Sequence, residues 1–87
     1  MSELQKVMEN ATQRLLLRFD VTLDGRKPIF RPVAWKPAAS TDKWQRFTQT
    51  PMVPQWEVYG IVTALGGQME REALGVGSEM VYWFERK

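Results

Sequence analysis

Side chains that carry out acid–base or nucleophilic chemistry are scarce in this 87-residue chain. Histidine and cysteine are both absent, so the commonest general base, the thiolate nucleophile and the usual ligands of structural zinc are missing. Carboxylates remain, and strand spacing can place Asp20 near Asp24 and Glu70 near Glu72. A catalytic carboxylate pair needs a cleft, which a domain of this size rarely has. We therefore expect no catalytic residue, no metal site and no cofactor.

Two short motifs resemble enzyme signatures, but each has a simpler structural interpretation. Ser40-Thr41-Asp42-Lys43 has the Ser-x-x-Lys spacing of penicillin-binding enzymes, whose other sequence elements are absent here. A helix cap is the better interpretation of these residues. Gly75-Val76-Gly77 resembles part of a nucleotide-binding loop, yet the position of the third glycine holds Met80. We expect a turn there.

Positive charge is concentrated in the middle of the chain. The net charge is only +2, but residues 26–47 contain six basic residues against the single acid Asp42. Basic groups with aromatic faces between them can neutralise the phosphates of single-stranded nucleic acid and stack its bases. Residues 26–47 are therefore a candidate binding surface. The interleaved aromatic residues are Phe30, Trp35, Trp44 and Phe47.

The same residues have a structural interpretation and a protein-binding interpretation. Trp35 and Trp44 could close an open end of the small core, with lysine and arginine stems lying over them. Tryptophan and arginine are also the residues most enriched in interface hot spots, and the proline-stiffened residues 50–56 would lose little entropy on docking. Because a net charge of +2 is modest for a nucleic-acid binder, a protein partner comes first.

The sequence thus predicts a non-catalytic binding protein of adaptor, regulator or inhibitor type, which contacts a protein partner through a loop rich in tryptophan and basic residues. Self-association into a homodimer is one form of that contact. The alternative is a single-stranded nucleic-acid-binding module that uses residues 26–47. The candidate partner-binding residues are Trp35, Lys36, Lys43, Trp44, Arg46 and Phe47.

A leader peptide and a membrane-spanning segment are not expected, and neither is a membrane partner. Residues 1–17 carry acidic residues where a secretory signal has basic ones, and their longest apolar run is Leu15 to Leu17. Because the chain has no cysteine for disulfides, a reducing compartment, the cytoplasm, is the simpler setting.

The elements that must position these residues follow from length and periodicity. The length and the 44% hydrophobic content are those of one small globular domain over residues 1–87. Ser2 and Gln5 form a capping-box pattern before apolar residues at helical spacing, which predicts a helix over 3–14. Apolar residues then alternate from Leu15 onward, which predicts a strand.

The predicted strand that begins at Leu15 is followed by residues typical of a β-hairpin turn. Asp24-Gly25 favours a two-residue type I′ turn, whose register pairs Phe19 with Phe30 and places Trp35 on the face opposite Phe30. Two prolines at positions 28 and 32 cannot donate to a ladder, so residues 26–34 should form an edge strand or a strand bonded on one side only.

The remaining chain gives weaker signals. A short helical turn after Ser40-Thr41-Asp42 would set Trp44 with Phe47 on one side and Lys43 with Arg46 on another. Residues 56–65 favour a strand by composition, although three of them also fit a helical stripe. Gly66-Gly67 would turn the chain into a strand over 68–74, and residues 79–87 predict a last strand. The fold class is therefore α+β: an N-terminal amphipathic helix packed on a mainly antiparallel sheet of four to five strands, in two layers.

Overall fold

The structure, a computed structural model, describes residues 2–74 and 77–86. Its fold is α+β: the described residues form two helices and one antiparallel sheet of six strands, larger than the predicted sheet because two short strands extend it. The sheet has the order β3-β2-β1-β6-β5, and β4 pairs with β2 beside β3. The elements are α1 (Glu3–Glu9), β1 (Leu15–Asp24), β2 (Lys27–Pro37), β3 (Gln45–Arg46), β4 (Val53–Pro54), α2 (Gln55–Ala64), β5 (Gln68–Leu74) and β6 (Glu79–Glu85).

Helix α1 is shorter than the predicted helix over 3–14. The Ser2 hydroxyl accepts a hydrogen bond from the Gln5 backbone N–H at 3.1 Å, which confirms the predicted N-cap. Leu4 and Met8 are buried, but the helix ends at Asn10. Asparagine is a poor helix former because its side chain competes for backbone hydrogen bonds.

The predicted β1–β2 hairpin is present, but its turn differs from the prediction. Asp24 pairs with Lys27, so the two loop residues are Gly25 and Arg26. Gly25 has a φ of +65°, and no described residue other than glycine has a positive φ. A type II′ turn requires a positive φ at its first central residue alone, whereas type I′ requires two. The prediction of a type I′ turn at Asp24-Gly25 is therefore wrong.

The hairpin register shifts once along its length. Arg18 pairs with Ala34 and Phe19 with Pro32, so Val33 is the extra residue of a β-bulge. A bulge of one residue reverses the alternation of side chains in the strand that contains it. Residues of β2 on the two sides of Val33 therefore follow opposite odd–even rules.

The bulge determines the side on which Trp35 lies. Trp35 pairs with Leu17, a buried residue, and packs against the core. The prediction that Trp35 and Phe30 lie on opposite faces is therefore wrong. Phe19 and Phe30 are not directly paired, as the predicted register required, but their ring centroids are still 5.1 Å apart.

Strand β2 is not the predicted edge strand. It pairs with β1 on one side, and on the other side with β4 at Ile29–Phe30 and with β3 at Ala34–Trp35. Pro32 lies in the gap between these two short partners, where no ladder donor is required. The prolines therefore limit the pairing on this side of β2 without leaving it open.

Residues 55–64 form helix α2, so the prediction of a strand over 56–65 is wrong. Val58 and Val62 are four positions apart and are 0% and 4% exposed, because the helix presents them to the core. Burial of this stripe outweighs the preference of β-branched and aromatic residues for strands.

The end of α2 is a Schellman motif. The Gly67 N–H donates to the Val62 carbonyl, and the Gly66 N–H donates to the Thr63 carbonyl, both at 3.0 Å. Gly66 has a φ of +68°, as the residue after the C-cap in this motif requires. The two glycines end the helix and release the chain into β5.

Strands β5 and β6 confirm the predicted strands in the C-terminal part of the chain. Tyr82 and Phe84 of β6 are buried, as the alternation predicts. The predicted turn at 75–77 lies partly outside the described residues, and so does residue 87 of the last predicted strand.

Both helices lie on the same face of the sheet and enclose one core. Buried residues of α1 and α2 share a cluster with the odd-numbered residues of β1. At its centre, the rings of Phe19, Phe30 and Tyr82 have centroids between 5.1 and 5.7 Å apart. The other face of the sheet, which we call the outer face, is left without a covering helix among the described residues. None of the described helices has the length and apolar character needed to cross a membrane.

Candidate binding surface

The outer face can be read from the strand register, because directly paired residues point to the same side of a sheet. On β1 it is the even-numbered residues that point outward, and their partners on β2, β6 and, further out, β3 and β5 share that face. The outer-face residues of the paired strands are Leu16, Arg18, Asp20, Thr22, Asp24, Lys27, Ile29, Arg31, Ala34, Lys36, Arg46, Pro54, Gln68, Glu70, Glu79, Val81, Trp83 and Glu85.

Trp44 lies over this face in contact with two cations. The guanidinium carbon of Arg18 is 5.3 Å from the centre of the Trp44 ring, and Lys36 Nζ is 5.6 Å from it. Arg18 is held in turn by Glu79, whose Oε1 accepts from Arg18 Nε at 3.0 Å and from Nη2 at 2.5 Å. The two side chains of this ion pair are only 28% and 25% exposed. The contacts connect the β3 side of the sheet to β6 across β1.

A second group of the same composition surrounds Trp83. The guanidinium carbon of Arg14 is 4.3 Å from the centre of the Trp83 ring. Arg14 Nη2 donates to Glu85 Oε2 at 2.9 Å, and both side chains are about half exposed. The outer face therefore carries two Trp–Arg–Glu units, the first built from Trp44, Arg18 and Glu79.

These contacts fix side-chain orientation more than they stabilise the fold. A cation over an exposed aromatic ring contributes about 0.5–1 kcal/mol, and a surface ion pair contributes about 0–1 kcal/mol. In each unit, however, the carboxylate holds the guanidinium and the guanidinium holds the ring. Both tryptophans are therefore positioned on an open sheet surface before any partner binds.

The structure divides the six predicted site residues between the core and the surface. Phe47 is 5% exposed and belongs to the core cluster, and Trp35 is partly buried against the same core. Lys36 and Trp44 meet on the outer face. The other two, Lys43 and Arg46, are exposed.

The predicted helical turn in this loop is wrong. Ser40 Oγ accepts a hydrogen bond from the Asp42 N–H at 2.9 Å, which makes a local turn, and the chain then enters the short strand β3. Side chains alternate in an extended chain. Trp44 therefore lies on the outer face and Phe47 in the core, instead of together on one side.

The end of the loop is anchored to the start of α1. Glu3 Oε1 accepts hydrogen bonds from the backbone N–H groups of Thr48 and Gln49, both at 2.8 Å. The hydrogen bond from the Gln49 N–H is the main cause that lowers the pKa of the Glu3 carboxyl. Hydrogen bonds from Thr48 lower this pKa further, and partial desolvation raises it. This anchor holds the chain next to Phe47 as it enters the core.

Sequence reasoning identified only Trp44 among the six residues of the two units and missed five: Arg14, Arg18, Glu79, Trp83 and Glu85. The alternation of β1 and β6 does place Arg18 and Trp83 on the outward sides of their strands. That β1 pairs with β6 could not be read from local patterns, since these strands lie near opposite ends of the chain. Without that pairing, the arginines and their carboxylate partners cannot be brought together.

The most exposed large apolar side chains lie away from the outer-face units. Trp56, in the first turn of α2, is 73% exposed, and Leu23, near the hairpin turn, is 70% exposed. The described residues contain no group of three or more potential metal ligands. Comparisons of the chain with protein families, with curated proteins and with solved structures found no match.

Proposed function

We propose that this chain is a non-catalytic binding protein, of adaptor, regulator or inhibitor type, that contacts a protein partner through its outer face. The pair of Trp–Arg–Glu units on that face is the observation that carries the proposal. Tryptophan and arginine are the side chains most often found at the energetic centres of protein interfaces. Because both rings are held in place beforehand, docking would immobilise few additional side chains.

The proposed contact surface is broader than the loop alone. Trp35 and Phe47 support it from the core side, so their side chains are not expected to touch the partner. A cytoplasmic location belongs to the same proposal and is supported by the absence of cysteine. The proposed contact residues are Arg14, Arg18, Lys36, Lys43, Trp44, Arg46 and Trp83.

Single-stranded nucleic acid suits this face less well. Cations already lie over Trp44 and Trp83, and a stacking base would have to displace them. Arg14 and Arg18 already bond carboxylates, so phosphates would compete with an intramolecular partner. Glu70 pairs directly with Trp83 and adds a charge that repels phosphate.

Site-specific photocrosslinking in the source cells tests the proposal. The photoreactive residue p-benzoylphenylalanine replaces Trp44 or Trp83 in two variants, and replaces Trp56 in a matched control on the helix-covered side. We expect irradiation to give protein adducts from positions 44 and 83 and to give none of those adducts from position 56. Mass spectrometry then identifies the partner, and a second copy of the chain counts as one.

Three results would contradict the proposal. Adducts from positions 44 and 83 that nuclease digestion removes would assign the outer face to nucleic acid. Identical adducts from all three positions, or none from 44 and 83, would show that the outer face binds no specific protein.

A further inference from the structure

We infer that the protein partner of the outer face is a second copy of this chain, packed face to face with the first. The inference rests on the proposed function and names the partner of the same surface. The observation that supports it is the distribution of charge across the face: one two-fold arrangement of two copies places the acidic part of each copy against the basic part of the other.

Strand β1 divides the outer face into an acidic half and a basic half. The division is clearest along residues 15–20 of β1, which are paired on both sides. The opposite charges of Asp24 and Lys27 lie beyond this part, at the hairpin tip, where the two residues pair with each other. Within residues 15–20, β1 itself contributes one charge of each sign, Arg18 and Asp20. On the β5–β6 side the charged residues are the three carboxylates of Glu70, Glu79 and Glu85 and the single guanidinium of Arg14, which lies over Trp83 and bonds Glu85, so this side remains acidic. On the β2–β3 side the charged residues are Arg31, Lys36 and Arg46.

Each half also carries one of the two positioned tryptophans. Trp83 belongs to the acidic half, because it lies on β6 between Glu79 and Glu85. Trp44 belongs to the basic half, because it precedes β3 and lies close to Lys36. The two halves thus carry opposite charges and matching aromatic residues on the two sides of β1.

A two-fold axis that lies in the interface and runs parallel to β1 makes these halves meet. Such an axis exchanges the two sides of the sheet and keeps each residue at the same height along the strands, so the acidic half of one copy faces the basic half of the other. An axis that crosses the strands would instead place like charges together. Closed two-fold pairs are also the commonest form of self-association.

The register then predicts which residues come opposite one another. Glu79 and Arg31 are both paired with Asp20, so Glu79 of one copy lies opposite Arg31 of the second copy. Trp83 and Lys36 are both paired with Leu16, so they also lie opposite each other between copies. Aligned sheets cross at about 30°, an offset that remains small close to the axis.

Apolar side chains lie where the axis passes. Leu16 is on β1 itself and is partly exposed, and it is flanked by Trp83 on one side of the strand. Val81, which is also partly exposed, lies one pleat further along on β6, beside Arg18 of β1. A stable interface buries about 800 Å² on each partner, and the extents of the chain, 35 × 28 × 23 Å, allow a sheet face to supply that area.

Charge reversal on the purified chain tests the inference. Multi-angle light scattering after size exclusion should give about twice the 10.1 kDa of one chain. The variants Arg31→Glu/Arg46→Glu and Glu70→Lys/Glu85→Lys each make the two halves alike in charge, so each should raise the dimer dissociation constant at least tenfold. An equimolar mixture of the two variants should restore a dimer that contains one copy of each.

A matched control separates this effect from a general effect of charge. Lys6→Glu/Arg26→Glu also reverses two exposed positive charges, but on α1 and in the hairpin turn, and it should leave the dimer intact. A dimer that neither outer-face variant weakens would overturn the inference, because it would form through another surface.

Cysteine crosslinking gives a second test that does not depend on the charge variants. The chain has no cysteine, so Leu16→Cys introduces a single thiol beside the proposed axis. A short bis-maleimide should link two copies through position 16 and should not link them through Thr63→Cys, an exposed site on α2. Equal linking at both positions, or at neither, contradicts the inference.

Failure of this inference can be distinguished from failure of the proposed function. A wild-type chain that stays monomeric over a hundredfold range of concentration overturns the dimer. If positions 44 and 83 still crosslink to a different protein in cells, the outer face is a protein-binding surface whose partner is not this chain.

Discussion

Two glycine-to-alanine substitutions should change stability in opposite directions. Gly60 is exposed on α2, and a Cβ there would meet nothing within 4 Å. Alanine favours a helix interior over glycine by about 1 kcal/mol, so Gly60→Ala should raise the free energy of unfolding by about 0.5–1 kcal/mol.

At Gly67 the same change creates a clash. A Cβ would lie 2.6 Å from the Glu85 carbonyl oxygen and 3.0 Å from Cε1 of Phe84. Carbon and oxygen normally approach to about 3.3–3.6 Å, so one backbone must move by roughly 0.7 Å or more. The Phe84 ring is fully buried and cannot easily yield. Gly67→Ala should therefore lower the free energy of unfolding by about 1–3 kcal/mol.

Urea unfolding followed by far-UV circular dichroism measures both effects. For a slope of about 1.5 kcal/mol per molar urea, the midpoint should rise by about 0.5 M for Gly60→Ala and fall by about 1 M for Gly67→Ala. A Cβ at Gly60 meets nothing within 4 Å, so the two substitutions share no contact and the double variant should show nearly the sum of the two changes. If Gly67→Ala is as stable as the wild type, the close approach of Gly67 to the end of β6 is refuted.

Three further predictions concern the loop and the titrating groups. Phe47→Ala should lower the free energy of unfolding by about 3–5 kcal/mol, because it empties a core site. The control Lys43→Ala should change that free energy by less than about 0.5 kcal/mol, and equal effects of the two substitutions in urea unfolding would contradict the assignment of Phe47 to the core. The backbone N–H of Gln49 lowers the pKa of Glu3 from 4.5 in the folded state, so wild type should be more stable than Glu3→Gln above about pH 4.5. This advantage should disappear as the pH falls through the lower pKa of the folded state, and an equal difference in stability between the two proteins at pH 3 and pH 7 would argue against it. Burial raises the pKa of Tyr59 and of Tyr82 above 10.0, so both side chains should ionise above pH 10 in an ultraviolet titration of the folded protein. Because the unfolded chain ionises first, the protein should also lose stability as the pH rises above 10, and a folded protein in which both tyrosines titrate at 10 would exclude this.

Local sequence patterns predict the elements whose signals lie within a few residues. The cap at Ser2, the alternation from Leu15 and the existence of the hairpin are of this kind. Helix α2 is different, because its composition favours a strand and only burial of Val58 and Val62 makes it a helix. Propensity is a weak guide when tertiary packing decides between two structures.

The candidate site was predictable only in part, and the β-bulge is one reason. With strict alternation, Lys36 would point with Phe30 and Trp35 would point outward, but the extra residue Val33 exchanges the two. No local pattern marks Val33 as the extra residue, so the register beyond it could not be predicted from the sequence. The sequence places Trp44 outside the hairpin strands, but its contact with Arg18 could be found only from the tertiary fold.

The pairing of β1 with β6 has a consequence for biosynthesis. Strand β1 gains its second neighbour only from residues 79–85, so the sheet cannot be completed until those residues have left the ribosome. Until then the nascent chain holds Leu15, Leu17 and Phe19 without the side chains of Tyr82 and Phe84 against them. Folding dominated by such distant contacts is slow. During synthesis, the incomplete sheet therefore exposes apolar side chains and an unpaired strand edge, the two features that make partly folded chains prone to aggregation.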